Sequence, residues 1–336
     1  MRSSRSMVRC MVLLLPLLPG CVLVTGSFSL FDSKPQPLEE RVVAGDGPVK
    51  VLLIDVANVI TSLEERDGFG FGARESTLAR VQAELNQAGK DSAIRAIVLR
   101  INSPGGTVNA SDSIFHDLSR FRQEKGVPIV AHFQDVAASG GYYIALAADE
   151  IIASPSSVTG SVGAIVYGVN ARGLMKIVGV ENQTIKSGDK KDIGSPLREM
   201  TPDERAVLQS VVDGMRDRFV SLVKDRRPGV TASNLDMIAD GRVFGANEAL
   251  SIGLVDRIGY LQDAIDVAKR RANIAAAQVV MYRRPQEYAE TIYSRSTTPP
   301  MELSLLRIGG GDSITGPSFL YMWMPDSFAA ELGSLR

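Results

Sequence analysis

Three short segments of the chain bring together residue types that could do chemistry. Ala137-Ala138-Ser139-Gly140-Gly141 places a hydroxyl among small residues where a strand passes into a helix. Ser139 fits two roles there. As a helix N-cap it would accept from first-turn amides. As a nucleophile it would use the room its small neighbours leave for a substrate backbone, with the Gly140 amide alongside. Asn102-Ser103-Pro104-Gly105-Gly106 is a second passage from strand to helix. Its paired glycines let backbone N–H groups turn toward a ligand, either a phosphate or the oxyanion of an acyl-transfer intermediate. The spacing is neither that of a P-loop nor that of a dinucleotide fingerprint, and a plain tight turn is the alternative.

A serine nucleophile needs a base. His132 stands on the strand before Ser139 and His116 inside a helix, neither with an evident orienting acid, so both read as structural and a Ser–His–Asp triad is disfavoured. Lys186-Ser187-Gly188-Asp189-Lys190-Lys191-Asp192 supplies lysines instead. A lysine becomes a base once burial or nearby positive charge lowers its pKa from about 10.4. The other reading of this stretch is a solvated loop. Neighbours on an extended segment point to opposite sides, so Lys190 and Lys191 are not equivalent, and the local sequence does not choose between them.

The bulk composition narrows the chemistry further. With 336 residues the chain can bury a large core, as one big α/β domain or two ordinary ones. A net charge of −1 gives no electrostatic reason to expect nucleic acid. Two histidines and two cysteines nearly exclude His/Cys metal sites.

The amino terminus reads as an address. Arg2, Arg5 and Arg9 precede an apolar run from Met11 to Leu18, the order of a secretory signal. Leu18-Pro19-Gly20-Cys21 resembles a bacterial lipobox, which makes Cys21 the lipidation candidate. Pro19 departs from that pattern and Pro16 interrupts the run; the alternative is an uncleaved anchor continuing through Val24, short of the roughly 20 apolar residues a spanning helix needs. Either way residues 1–24 tether the protein to a membrane, with its body outside the cytoplasm. Residues 25–48 read as a polar linker, with the body starting near Val49.

The elements that must position these groups alternate along the chain. Val49–Val56, Ala96–Ile101 and Val127–Phe133 read as buried strands, with further strands near Ile151 and Val162. Glu75–Ala88, Asn109–Arg122 and Gly140–Ala148 read as helices. Thr201-Pro202-Asp203-Glu204 opens a helix reaching about Asp225, followed by helices near Ala246–Ile252 and Leu261–Arg271. Alternation of this kind predicts parallel strands joined by crossover helices. Residues 49–274 form the expected folded catalytic body and 275–336 a partly irregular tail. Its aromatic patch, Phe319, Tyr321 and Trp323, fits a subunit or lipid contact, or a strand or turn packed on its own domain. No internal repeat is apparent.

The blocks Asn102–Gly106, Ala138-Ser139-Gly140-Gly141-Tyr142-Tyr143, Thr159-Gly160-Ser161-Val162-Gly163 and Lys186-Ser187-Gly188 through Lys191-Asp192-Ile193 together resemble the signal peptide peptidase A family, peptidase family S49. Gly241-Arg242-Val243-Phe244 and Gly253-Leu254-Val255-Asp256 add to the likeness, which covers roughly Val49 to Arg271. The resemblance implies a crotonase-like/Clp-protease-like α/β superfold of repeated β-β-α units. It implies Ser139 as nucleophile, Lys191 as general base and Ser161 orienting the lysine ammonium. The amides of Gly105 or Gly106 and of Gly140 would form the oxyanion hole. It implies no metal or cofactor, and peptide substrates that are remnants of cleaved signal peptides. The chain carries a single half of the tandem arrangement found in long members, like short members whose subunits form a ring with serine and lysine meeting across a boundary. A crotonase-type acyl-CoA enzyme is a rival that the export signal argues against. A catalytically silent membrane lipoprotein is another.

Overall fold

Two runs almost free of polar residues, Val51–Val56 and Ala96–Ile101, lie side by side in the middle of the sheet, fully enclosed except that each carries one buried charge. Strands covered on both faces need apolar side chains at every position, which is why these runs do not alternate. The computed structural model describes residues 36–66, 73–285, 287–294 and 318–323.

In chain order the strands are β1 (Glu39–Ala44), β2 (Lys50–Ile60), β3 (Glu65–Arg66), β4 (Ala73–Arg74), β5 (Ile94–Thr107), β6 (Ile129–Ala138), β7 (Glu150–Ala153), β8 (Val158–Gly160), β9 (Ile165–Tyr167), β10 (Val243–Gly245), β11 (Arg257–Ile258), β12 (Gln278–Arg283) and β13 (Ser318–Met322). The helices are α1 (Thr77–Ala88), α2 (Val108–Lys125), α3 (Gly140–Ala145), α4 (Arg172–Val178), α5 (Pro202–Arg226), α6 (Ala232–Ile238), α7 (Ala246–Ser251) and α8 (Leu261–Arg271). The main path of the sheet runs β1-β12-β2-β5-β6-β7-β11. From β12 to β11 every pairing is parallel, while β1 closes the edge antiparallel.

Strand parity sorts the core into two layers. Leu52, Ile54, Leu99, Ile101 and Phe133 point to one face, beneath α1, α2, α3 and α5. Val51, Leu53, Val98 and Val130 point to the other, where α8 covers them with Leu261, Ala264, Ile265 and Ala268. The signal read at Thr201 is a full capping box: Thr201 Oγ1 accepts from Glu204 N, and Glu204 returns a carboxylate to Thr201 N.

Buried charge accumulates on the sheet. Asp55 on β2 accepts two bonds from Arg100 on β5, at 2.6 and 2.7 Å, and a third from Arg283 on β12. Arg80 on α1 donates to the Asp55 carbonyl at 2.6 Å and pairs with Glu84 at 2.8 Å. Burial opposes ionisation of Asp55, and the surrounding Arg100 and Arg283 override it, holding the carboxyl below its ordinary range.

Both ends of the body extend past the expected bounds. Strand β1 falls inside the stretch read as a linker. Of its residues only Val43 is buried, so an edge strand showing one face to solvent carries the polar composition of a spacer. Strand β12 and strand β13 both fall inside the tail expected to be partly irregular. β12 sits between β1 and β2, with Val279, Val280, Met281 and Tyr282 all in the core. The signal segment with Cys21 lies outside the described residues. Among the described residues no helix is long and apolar enough to cross a membrane.

Candidate active site

Strand β6 ends at Ala138, and the chain turns at once into α3. Ser139 is the pivot, with φ 52° and ψ −114°, and is 1 % exposed. The N-cap alternative fails here: a cap has extended backbone, and the Ser139 side chain makes no cap bond. A non-glycine residue held at positive φ costs on the order of 1–3 kcal/mol, and such strain persists where the surrounding structure imposes it. The imposing contacts are visible. Ser139 N–H donates to the Gly160 carbonyl at 2.8 Å, and Tyr143 N–H donates to the Ser139 carbonyl at 2.8 Å.

Ser161 follows β8, which pairs parallel with the end of β6 so that Ala138 faces Gly160. It too has positive φ, 51°, and its N–H donates to the Arg242 carbonyl at 2.7 Å. The sequence blocks around Ser139, Ser161 and Arg242 therefore converge, through β6, β8 and β10.

The glycine segment is not a loop between strand and helix but the last stretch of β5, which runs to Thr107 before Thr107 caps α2. Gly105 has φ 108°, open to glycine and strained for other residues. Its N–H is taken by Ser103 Oγ at 3.1 Å. Gly140 N lies 2.8 Å from where a Cβ on Gly105 would stand, so the two glycines face one another beside Ser139.

A strand from the C-terminal tail enters this gap. Strand β13 runs antiparallel to β5 on one side, with Tyr321 opposite Gly106 and Met322 opposite Gly105, and antiparallel to β9 on the other. A Cβ on Gly105 would collide with the Tyr321 carbonyl oxygen. The Tyr321 ring is fully buried, stacked on Tyr143 at 5.1 Å and against Phe219 at 5.0 Å, and its hydroxyl donates to the Met215 carbonyl at 2.7 Å. Burial pushes that hydroxyl up to about 12. Of the two alternatives for the aromatic patch, the strand packed on its own domain is the one found. No local signal in Phe319-Leu320-Tyr321-Met322 names its neighbours.

Lys191 stands apart. It is exposed on the stretch between α4 and α5, and its N–H donates to the Gly188 carbonyl at 3.0 Å. Lys186 pairs with Asp192 at 2.7 Å and Lys190 pairs with Asp203. Arg198 bridges Asp192 and Glu204, which ties this turn to the start of α5 and lowers the Asp192 carboxyl below its ordinary range. Among the described residues no hydrogen bond joins Lys191 to Ser139. The same arm exposes Leu174, Ile177, Val178, Val180 and Ile185, and α4 buries none of its residues.

Among the described residues neither histidine makes a hydrogen bond to Ser139. His132 lies within hydrogen-bond reach of Ser154 Oγ at 3.2 Å, and burial pulls its pKa down to about 4; His116 is exposed on α2.

Comparison with known proteins identifies the family. The profile described as Peptidase family S49 matches residues 121–275, and that of Clp protease matches residues 58–159. A protein of Enterococcus faecium named as a signal peptide peptidase SppA is 33% identical over 260 residues, covering 77% of this chain and 74% of its own. A protein of Synechocystis named as a protease is 37% identical over 205 residues, 61% of this chain and 71% of its own. Protease 4 of Salmonella typhi is 36% identical over 194 residues, which is 57% of this chain and 31% of that longer protein. The layered parallel sheet and the Clp protease match make the fold ClpP/crotonase-like. The chain belongs to peptidase family S49, with the SppA proteins, and is a serine-type peptidase.

Proposed function

We propose that this is a membrane-associated endopeptidase that cuts hydrophobic peptides, cleaved signal peptides among them, with a dyad of Ser139 and Lys191. The observation that carries the reading is Ser139 itself: a strained serine whose side chain does no capping, at the mouth of a gap lined by Gly105 and Gly140. In the proposed cycle neutral Lys191 takes the Ser139 proton as the hydroxyl oxygen attacks a peptide carbonyl. The resulting oxyanion is held by Gly140 N–H, a first-turn donor with no partner within its helix, and by Gly106. Gly105 is the weaker candidate, because Ser103 already occupies its amide. Lys191 then protonates the leaving amine, and the acyl ester on Ser139 is hydrolysed by water. Ser161, next to the Gly160 carbonyl that binds Ser139, orients the lysine.

In this reading Lys191 meets the serine of a second copy of the chain. Support comes from the arm that carries it, which leaves five large apolar side chains more than half exposed, the mark of a surface that another subunit covers. A closed ring of head-to-tail subunits satisfies every such surface. Residues 1–24, with Cys21 as a lipid site or an uncleaved anchor, would hold the body on the extracytoplasmic side of a bacterial membrane and raise the local concentration of membrane-bound peptides. The test is hydrolysis of a fluorogenic peptide by Ser139→Ala and Lys191→Ala, each expected to lose about 10³-fold or more in kcat. Wild-type rates in both variants would reject the dyad, and an inactive wild type would favour a non-catalytic scaffold.

A further inference from the structure

Lys191 stands on a turn that no apolar packing holds down. Residues 181–191 are all exposed. The turn keeps its shape through short backbone bonds: Lys191 N–H to the Gly188 carbonyl at 3.0 Å, Ile193 N–H to the Lys190 carbonyl at 3.2 Å and Ser195 N–H to the Asp192 carbonyl at 3.0 Å. Bonds of that range fix a shape without fixing where the shape sits on the body. Two ionic links to α5 do the second job. In one, Lys190 pairs with Asp203, and both side chains are exposed to competing water. In the other, the Arg198 guanidinium forks onto two carboxylates. Its Nε and Nη2 donate to Asp192 at 2.8 and 2.6 Å, and its Nη1 and Nη2 donate to Glu204 at 2.8 and 2.5 Å. Asp192 is the neighbour of Lys191, and Glu204 is the buried residue that closes the capping box of α5. Arg198 is itself anchored, since its carbonyl accepts from Asn170 Nδ2 at 3.3 Å and the nearby Pro196 carbonyl accepts from Ala171 N–H at 2.7 Å.

A base carried on a loosely placed turn is a poor base, because a misplacement of about 1 Å costs on the order of 10²-fold in rate. Arginine engaged on both edges resists such drift: its planar fork meets each carboxylate along two parallel bonds, which a lysine ammonium cannot do. The hydrogen bonds from Arg198 hold both carboxyls below their ordinary range, Glu204 at about 2, so the bridge stays charged wherever a lysine base can act. Helix α5 is the rigid part to which the turn is fixed. Farther along it, Phe219 packs edge-on against Tyr143 of α3 at 4.8 Å, behind Ser139. One helix thus sets the spacing between the serine a copy owns and the lysine it offers. We propose that Arg198 is a positioning residue for the reaction, which by bridging Asp192 to Glu204 fixes Lys191 on α5 at the place from which it serves the nucleophile. The proposal rests on the Ser139–Lys191 dyad. The plain alternative is a surface ion pair, which contributes little to stability and nothing to rate.

The experiment compares full-length wild type, Arg198→Ala, Arg198→Lys, Lys191→Ala and the double variant Arg198→Ala with Lys191→Ala, all in detergent, on a fluorogenic peptide. Arg198→Ala is expected to lose about 10-fold or more in kcat, with KM within about 2-fold of wild type and the thermal transition retained. Arg198→Lys should recover only part of that loss. Removing Arg198 from a chain that already lacks Lys191 should cost nothing further, because changes that act through one group do not add. A kcat loss below about 10-fold overturns the proposal, as does a loss carried by KM, full recovery in Arg198→Lys, or a further drop in the double variant. Should Arg198→Ala not fold, Asp192→Asn takes its place. Its amide keeps the size of the carboxylate but turns an NH₂ toward the guanidinium, and it leaves Glu204 and the helix cap intact. The same kcat loss is expected there, and a wild-type kcat overturns. Failure of the dyad reading shows separately, as wild-type hydrolysis by Lys191→Ala.

Discussion

The N–H of Ser139 donates to the carbonyl of Gly160 across 2.8 Å, joining two segments that each end in a serine at positive φ. The bond runs where β8 lies parallel to the last residues of β6, so the turn into α3 and the turn after β8 are held as one unit. Strain at Ser139 is thus maintained by a neighbouring strand together with its own helix, through the Gly160 carbonyl and the Tyr143 N–H. That makes its geometry sensitive to β8 and β10 as well as to α3.

Subunit complementation follows from where Lys191 lies. A one-to-one mixture of Ser139→Ala and Lys191→Ala chains, assembled together from the unfolded state, should regain about one quarter of wild-type hydrolysis, since one boundary in four would pair an intact serine with an intact lysine. If serine and lysine act within one chain, the mixture stays inactive.

Gly105→Ala should abolish most peptide hydrolysis. The new Cβ would collide with the Tyr321 carbonyl now in the gap and lie 2.8 Å from Gly140 N, at a backbone angle that alanine resists. A loss of about 10²-fold or more in kcat/KM is expected, on the scale of an impaired oxyanion site. Steady-state kinetics on a short peptide, alongside a thermal melt to show the fold intact, checks it.

Asp55→Asn should destabilise the body by about 3–5 kcal/mol, because it removes the charge that Arg100 and Arg283 both address while leaving those guanidinium groups buried. Urea unfolding measures it. A shift below 1 kcal/mol would mean that these arginines find other partners.

His132 sets a pH dependence of stability. Burial, helped by the charge of Arg100, pulls its folded pKa to about 4 from 6.5. The folded state prefers the neutral ring, so this stability is full above pH 6.5 and declines as the pH falls toward 4. At 1.36 kcal/mol per unit the decline reaches about 3 kcal/mol. Unfolding free energies of wild type and His132→Gln, measured from pH 7.5 to 4.5, should converge as the pH falls; parallel curves would remove His132 as the cause.

Much of this molecule was legible before any coordinates. The apolar runs of β2 and β5 are long because both faces are covered, and the cap, proline and glutamate at Thr201–Glu204 start α5 where local chemistry says they must. Helix α8 matches its expected bounds, Leu261 to Arg271. Short motifs singled out Ser139 and the glycines, because a turn from strand to helix is a contiguous requirement; Ser161 and the choice of Lys191 over Lys190 came only from the resemblance to family S49.

Local patterns failed where a segment is judged by its neighbours. Strand β1 carries Glu39, Glu40 and Arg41, which read as a spacer, and is a strand only because β12 offers it an edge. Strands β12 and β13 lie beyond the last helix, and their partners are up to about 240 residues away in sequence for β12 and about 220 for β13. The types and order of the catalytic candidates were written in the sequence. Which of them share a cavity was decided by tertiary structure: β6, β8 and β10 bring Ser139 and Ser161 together, the ion pairs of Arg198 hold Lys191 out on its arm, and β13 fills the gap beside Gly105. Hydrogen bonds between distant strands carry no local signature, because any extended backbone can make them; only the register that buries the right side chains selects the pair.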